Sequence, residues 1–223
     1  MTRPHDMGGR FGDGPIDPEP EDVKFHAGWH KRALAMTLAA NACGKWNLDM
    51  SRHARESLAP MDYARFSYYE KWLAALADLL VHTDVVSRKE LGGGEAHPSP
   101  LANRTLRASA VERTLSAGAP ADRPGTVAQA FSVGDAVVTR RHAENQYVEG
   151  GHTRLPRYAA GATGRIVMCH GSHVLPDSNA HRLGERPEPL YAVAFPAAEL
   201  WRHPEHPNDE VVLDLWQSYL GPA

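Results

Sequence analysis

The spacing of apolar residues changes once along this chain, at Phe131, and that switch constrains the fold more than any short motif does. Before it, hydrophobic side chains recur at the three-and-four spacing of helices. After it, they come in short runs bounded by glycine, proline and aspartate, the pattern of strands. A chain that changes period part-way builds two kinds of layer, so the sequence predicts an α+β protein. The expected divisions are an extended arm over residues 1–21, a helical domain over 22–117, a linker over 118–130 and a small β-domain over 131–223. With 223 residues, there is enough chain to bury a sizeable core.

In the first half, Asp22 is placed to cap a helix running to about Ala42, with Phe25, Trp29, Leu34 and Leu38 spaced along it. Asn47 caps a second helix to about Leu58 that sets Leu48, Arg52 and Arg55 near one face. Pro60 opens a short helix to Phe66, and Ser67 caps the most strongly patterned one, where Tyr69, Leu73, Leu76 and Leu80 form the stripe and Trp72 and Leu79 flank it. Ser87 caps one further turn. After the glycine-rich stretch from Gly92, a last helix is expected from about Asn103 to Ser116, burying Leu106, Val111 and Leu115. Residues 1–21 are polar and rich in glycine and proline, end in alternating proline and acid, and cannot form a core, which suits an arm that wraps a partner or a free tail.

Beyond Phe131 four strands are expected: after Gly134-Asp135, after Gly161, over Leu190–Phe195 and over Glu210–Trp216. Short strands with long loops between them predict a small, partly open barrel of the SH3-like type. Between the first two strands lies Gly150-Gly151-His152-Thr153-Arg154-Leu155-Pro156-Arg157-Tyr158. Its glycines and proline exclude regular structure and predict a shaped loop that holds Arg154 and Arg157 on either side of a rigid corner. Guanidinium groups are permanent planar forks suited to oxyanions, so the loop reads as a positive claw for a group the chain does not carry.

Composition removes several alternatives. Lys+Arg of 24 against Asp+Glu of 27 leaves a net charge of −3, which gives no support for a nucleic-acid surface. No run of about 18 apolar residues and no signal peptide is evident, so no membrane span is expected and a cytoplasmic protein is the default. Two cysteines, Cys43 and Cys169, exclude a disulfide framework and a cysteine-rich metal site made by this chain alone. The 13 histidines are scattered; His26 and His30 come nearest to ligand spacing and read as solvated or core side chains. Neither half contains a nucleophile–base pair, a phosphate loop or a carboxylate dyad in recognisable context. The chain reads as a scaffold that completes something else.

Ordered segments along both halves resemble the nitrile hydratase beta-subunit family. They are His5-Asp-Met-Gly-Gly9, Gly12-Asp-Gly-Pro15, Phe25-His-Ala-Gly-Trp29, Leu48-Asp-Met-Ser-Arg52 and Tyr68-Tyr-Glu-Lys-Trp72. In the second half they are Phe131-Ser-Val-Gly-Asp135, Gly151 to Tyr158, Gly161 with Gly164, Pro176-Asp177, Gly184-Glu185, Glu199-Leu-Trp201 and Asp214 to Leu220. The resemblance implies an obligate alpha-subunit partner, assembly as an (alpha-beta)2 heterotetramer, and hydration of a small-molecule nitrile to its amide. It implies that the partner holds Co(III), or less commonly Fe(III), in a Cys-x-x-Cys-Ser-Cys motif with oxidised cysteines. The metal would then act as a Lewis acid.

By the same resemblance, Arg52 and Arg154 are the catalytic positions, hydrogen-bonding the partner's oxidised sulfurs. Leu48, Ser51, Tyr68 and Trp72 form part of the substrate-pocket wall. Family members often carry phenylalanine where Ser51 stands and a larger apolar residue where Thr37 stands, which implies a wider pocket and tolerance of bulky or polar nitriles. Trp72 is more usual in cobalt-type members. The rival resemblances are a thiocyanate hydrolase-like subunit, in which the two halves are separate chains, and a non-catalytic maturation chaperone, which lacks a complete barrel.

Overall fold

A computed structural model describes residues 4–6 and 23–223. The expected arm over 1–21 and the expected cap at Asp22 therefore lie outside the described residues, apart from Pro4, His5 and Asp6. The chain divides into two compact units, Phe11–Ala119 and Pro120–Ala223, the latter including Met1–Arg10.

The first unit is helical. Helix α1 covers Gly28–Asn41, α2 Leu48–Glu56, α3 Pro60–Arg65, α4 Tyr68–His82, α5 Arg88–Leu91 and α6 Ala108–Ala117. Helix α1 begins six residues later than Asp22, after the irregular stretch that contains Phe25. The caps follow the sequence closely. The Asn47 side chain accepts from the Met50 N–H at 2.9 Å, and the Glu70 carboxylate accepts from the Ser67 N–H at 2.7 Å. Helices α2 and α4 pack together around Trp46, Leu76 and Leu79, with Met50, Ala54 and Leu80 alongside. The buried stripe of α4 is Ala75, Leu76 and Leu79, turned toward what the periodicity marked as a flank. The expected burial of α6 does not occur: the helix has no buried residue and Leu115 is 52% exposed. Among the described residues this ten-residue amphipathic helix is not covered well enough to bury its stripe, and Val111 is only half-buried.

The second unit is built on a five-stranded antiparallel sheet: β1 Ala136–Thr139, β2 Thr163–His173, β3 Glu188–Pro196, β4 Glu210–Trp216 and β5 Leu220–Pro222. Strand order is β4-β3-β2-β1-β5. Representative partners are Val137 with Gly164, Tyr191 with Cys169, and Tyr191 with Leu215. The last strand, β5, is one more than the periodicity suggested; three residues are too few to show alternation. Among the described residues β4 and β5 share no ladder, so the sheet is open rather than a closed barrel. Two register shifts in β2, at Ile166/Met168 and at Cys169/Gly171, interrupt its ladder, and Gly171 takes φ +82° at the second. Strand β3 is buried continuously from Pro189 to Phe195 instead of alternating. Its outer positions Ala192 and Ala194 carry only methyl groups, flanked by Met168, Arg165, Asp214 and Val212 of the neighbouring strands.

The core of this unit is Val137, Leu155, Ile166, Tyr191, Val193, Phe195, Leu215 and Tyr219. Residues 120–130, read from composition as a linker, are fastened across the sheet. Val174 N–H donates to the Ala121 carbonyl, Arg123 pairs with Glu185 at 2.9 Å, and Ala130 N–H donates to Gln217. A short helix α7, Pro176–Asn179, buries Asp177 and Ser178, and α8, Ala197–Leu200, leads toward β4. Among the described residues no helix is long and apolar enough to cross a membrane.

Candidate functional site

Each unit presents one arginine-centred arrangement. In the helical unit it sits where α2 faces the start of α4. Asn47 fixes the first turn of α2, so Leu48, Ser51, Arg52 and Arg55 emerge on neighbouring faces at three- and four-residue spacing. Arg52 is half-buried, and its guanidinium donates to Asp49 at 2.9 Å, one turn back. Asp49 is itself buried, so this pair is shielded from water on one side and fixes the direction of the fork. Leu48 and Tyr68 remain 55% and 64% exposed, a large amount of apolar surface for one end of a small helical unit.

Of the expected wall residues, the structure brings Ser51, Tyr68 and Trp72 together, and a residue the sequence reading left without a role joins them. The Arg55 guanidinium donates to the Ser51 hydroxyl at 3.2 Å and lies over the Trp72 ring, 5.0 Å from its centroid. Tyr68 tilts against Trp72, with ring centroids 5.6 Å apart. Burial pulls the Arg55 pKa below the usual arginine value, and the nearby Tyr68 hydroxyl acts in the opposite direction. The spacing from Ser51 to Arg55, one helical turn, was the available signal for this link. Thr37, by contrast, is buried in α1, and its hydroxyl proton is taken by the Ala33 carbonyl at 2.9 Å within the helix.

Tyr68 also borders an open pocket of about 400 Å³, together with Lys24, His26, His30 and Tyr69. His30 stacks on Tyr69 there at 4.8 Å, while Trp29 and His26 meet it edge-on at 4.3 and 6.4 Å. Among the described residues no group of three or more His, Cys, Asp or Glu could hold a metal ion, and both cysteines are free thiols.

In the sheet unit the loop from Gly150 to Tyr158 is irregular, as its glycines and proline predict, and it is held from beneath. His152 is fully buried; its N–H donates to His181 at 3.0 Å and its carbonyl accepts from Asn145. Gly151 passes so close to these partners that an added Cβ would lie 2.6 Å from His181 Nε2. The Arg154 N–H donates to the Tyr219 hydroxyl at 3.2 Å, and that hydroxyl donates in turn to Asp177 Oδ1. Asp177 and Tyr219 are both fully buried, and Asp177 also accepts from the Gln146 N–H at 3.1 Å. Burial holds the Asp177 carboxyl above the usual carboxylate range and raises Tyr219 well above the usual phenol value. Leu155 is buried in the sheet core, and Tyr158 stacks on Trp201 at 5.5 Å.

This anchoring leaves the two loop arginines in different states. Arg154 is exposed, and its guanidinium has no hydrogen-bond or ion-pair partner among the described residues. Arg157 is half-buried; its N–H donates to Asp6 at 2.9 Å, while its Nε is enclosed with no hydrogen-bond partner among the described residues. The loop is thus a rigid stem with a free cationic fork at Arg154. Sequence reasoning found the fork but not its stem, because Asp177 and Tyr219 lie 23 and 65 residues further on.

Comparison with known proteins agrees along the whole chain. Residues 1–117 match the family described as nitrile hydratase beta subunit, N-terminal, and residues 120–222 match nitrile hydratase beta subunit, C-terminal. The chain is 37% identical to the low-molecular weight cobalt-containing nitrile hydratase subunit beta of Rhodococcus rhodochrous, over 98% of each chain. It is 36% identical to the nitrile hydratase subunit beta of Pseudomonas putida, over 100% of each. Among solved structures, apo thiocyanate hydrolase from Thiobacillus thioparus is similar over 44% of this chain and 81% of its own, at 27% identity and a TM-score of 0.39, too loose a likeness to argue from.

Proposed function

Because the chain belongs to the nitrile hydratase beta-subunit family, we propose that it pairs with an alpha subunit to hydrate nitriles to amides. The assembly on this reading is a cytoplasmic (alpha-beta)2 heterotetramer. On this reading the alpha-subunit partner, not this chain, holds the metal ion. Cobalt is the ion expected there, from the name of the Rhodococcus rhodochrous relative. On the same reading the open five-stranded sheet is an SH3-like barrel left unclosed between its edge strands.

The chain's own work is electrostatic. Arg52 and Arg154 donate to the oxidised cysteine oxygens of the partner, which would otherwise be costly to bury. Each charged hydrogen bond contributes about 1.5–3 kcal/mol. Asp49 aims Arg52, and the buried Tyr219–Asp177 pair holds the backbone of Arg154. Leu48, Ser51, Tyr68 and Trp72 form one wall of the nitrile pocket. The observation that supports this reading most directly is the exposed Arg154 fork, without a partner among the described residues, on a stem anchored by fully buried groups.

The test is co-expression with a nitrile hydratase alpha chain, followed by nitrile-to-amide turnover and metal analysis. Arg52→Lys and Arg154→Lys keep the charge but lose the planar fork. Each is expected to lower turnover by about ten- to hundredfold while the heteromer survives gel filtration. Near-normal turnover in either variant removes the role assigned to that arginine.

A further inference from the structure

Arg55 stands one turn from Arg52 but is held differently. Arg52 has a carboxylate at 2.9 Å, whereas Arg55 has no carboxylate within ion-pair distance among the described residues. Its only hydrogen bond there is to the neutral Ser51 hydroxyl, and its flat face rests on Trp72. These contacts orient the cation without neutralising it. A guanidinium has five N–H donors, so most of the fork is left for an acceptor that the described residues do not supply. Half-burial among Ser51, Tyr68 and Trp72 makes that missing acceptor energetically important, because partial desolvation strengthens any charged contact made there.

Both residues that Arg55 touches belong to the wall assigned to the nitrile pocket, so the inference rests on the function proposed above. We propose that Arg55 is a specificity-determining residue that selects nitriles whose tail carries a carboxylate or a carbonyl acceptor. Trp72 supplies the flat surface for an aromatic or planar tail, and Ser51 fixes the fork beside it. A phenylalanine in place of Ser51 would remove the hydroxyl that orients the guanidinium.

The experiment uses the assembled heteromer and two nitriles of matched shape, benzonitrile and 3-cyanobenzoate. In the wild type the anion has the lower KM at low ionic strength, and its advantage shrinks as salt is added. In Arg55→Gln the ratio of kcat/KM for 3-cyanobenzoate over benzonitrile falls by about ten- to hundredfold, and Arg55→Lys restores part of it. A parallel loss on both substrates marks Arg55 as a packing residue and overturns the proposal, as does an unchanged ratio. Dissociation of Arg55→Gln from the partner, together with no salt-sensitive preference in the wild type, assigns Arg55 to the subunit interface and also overturns it. If the wild-type heteromer hydrates neither nitrile, the nitrile hydratase reading itself has failed.

Discussion

Replacing Tyr219 by phenylalanine removes one oxygen and leaves the ring in the sheet core. That oxygen accepts the Arg154 N–H and donates to Asp177, both inside fully buried surroundings. Loss of a hydrogen bond to a buried carboxylate costs about 1.5–3 kcal/mol, and the orphaned Arg154 amide adds about 1 kcal/mol. The sum, about 2.5–4 kcal/mol, lowers the Tm of a chain of this size by about 5–16 °C. The pH dependence separates this account from simple loosening. Burial is the main reason the Asp177 carboxyl is held above its ordinary range, while the Tyr219 hydroxyl and the Gln146 amide act against it. The stabilisation linked to the Asp177 proton is therefore complete below the ordinary carboxylate value and is lost as pH rises through the elevated folded value. Without the phenol the folded value moves higher still. The gap between wild type and Tyr219→Phe is then widest at neutral pH and narrows on acidification. Scanning calorimetry of the assembled protein from pH 5 to 8 measures it. A gap below about 2 °C at neutral pH, or one independent of pH, would refute the reasoning.

Three further outcomes are expected. Gly151→Ala drives a Cβ to 2.6 Å from His181 Nε2 and 2.9 Å from Asn145, so it displaces the loop stem; turnover falls more than tenfold with a loss of about 1–3 kcal/mol in stability, read by activity and denaturant melts. Asn47→Ala removes the acceptor for the Met50 N–H at 2.9 Å, costing about 1 kcal/mol or about 2–4 °C in Tm, with a larger effect on activity than on melting because α2 carries Leu48, Ser51 and Arg52. Ser51→Phe narrows the pocket wall, so kcat/KM for bulky aromatic nitriles drops relative to small aliphatic ones; a substrate panel in which both change together would count against the wall assignment.

Local rules carried the helical half. Asn47 and Pro60 start their helices where capping chemistry says, and the period of Leu76 and Leu79 marks the buried side of α4 to within one flank. These features depend on residues three or four apart, which a sequence displays directly. The fate of α6 was not legible in the same way, since Val111 and Leu115 keep helical spacing but burial depends on whether another surface meets them. Nor could periodicity reveal that β3 is covered on both faces, because that follows from the longer side chains of the strands beside Ala192 and Ala194.

The same division runs through the candidate site. Sequence by itself determined the two-part α+β plan, the irregular loop from Gly150 to Tyr158 and the placing of Arg52 and Arg55 on one helix, because φ/ψ limits and helical period act over a few residues. Only tertiary structure decided that Tyr219 and Asp177 support the Arg154 backbone, that Asp49 rather than solvent faces Arg52, and that Arg55 lies on Trp72. Hydrogen bonds and ring contacts reach only a few ångströms, so residues distant in the chain acquire them only after folding has brought their elements together.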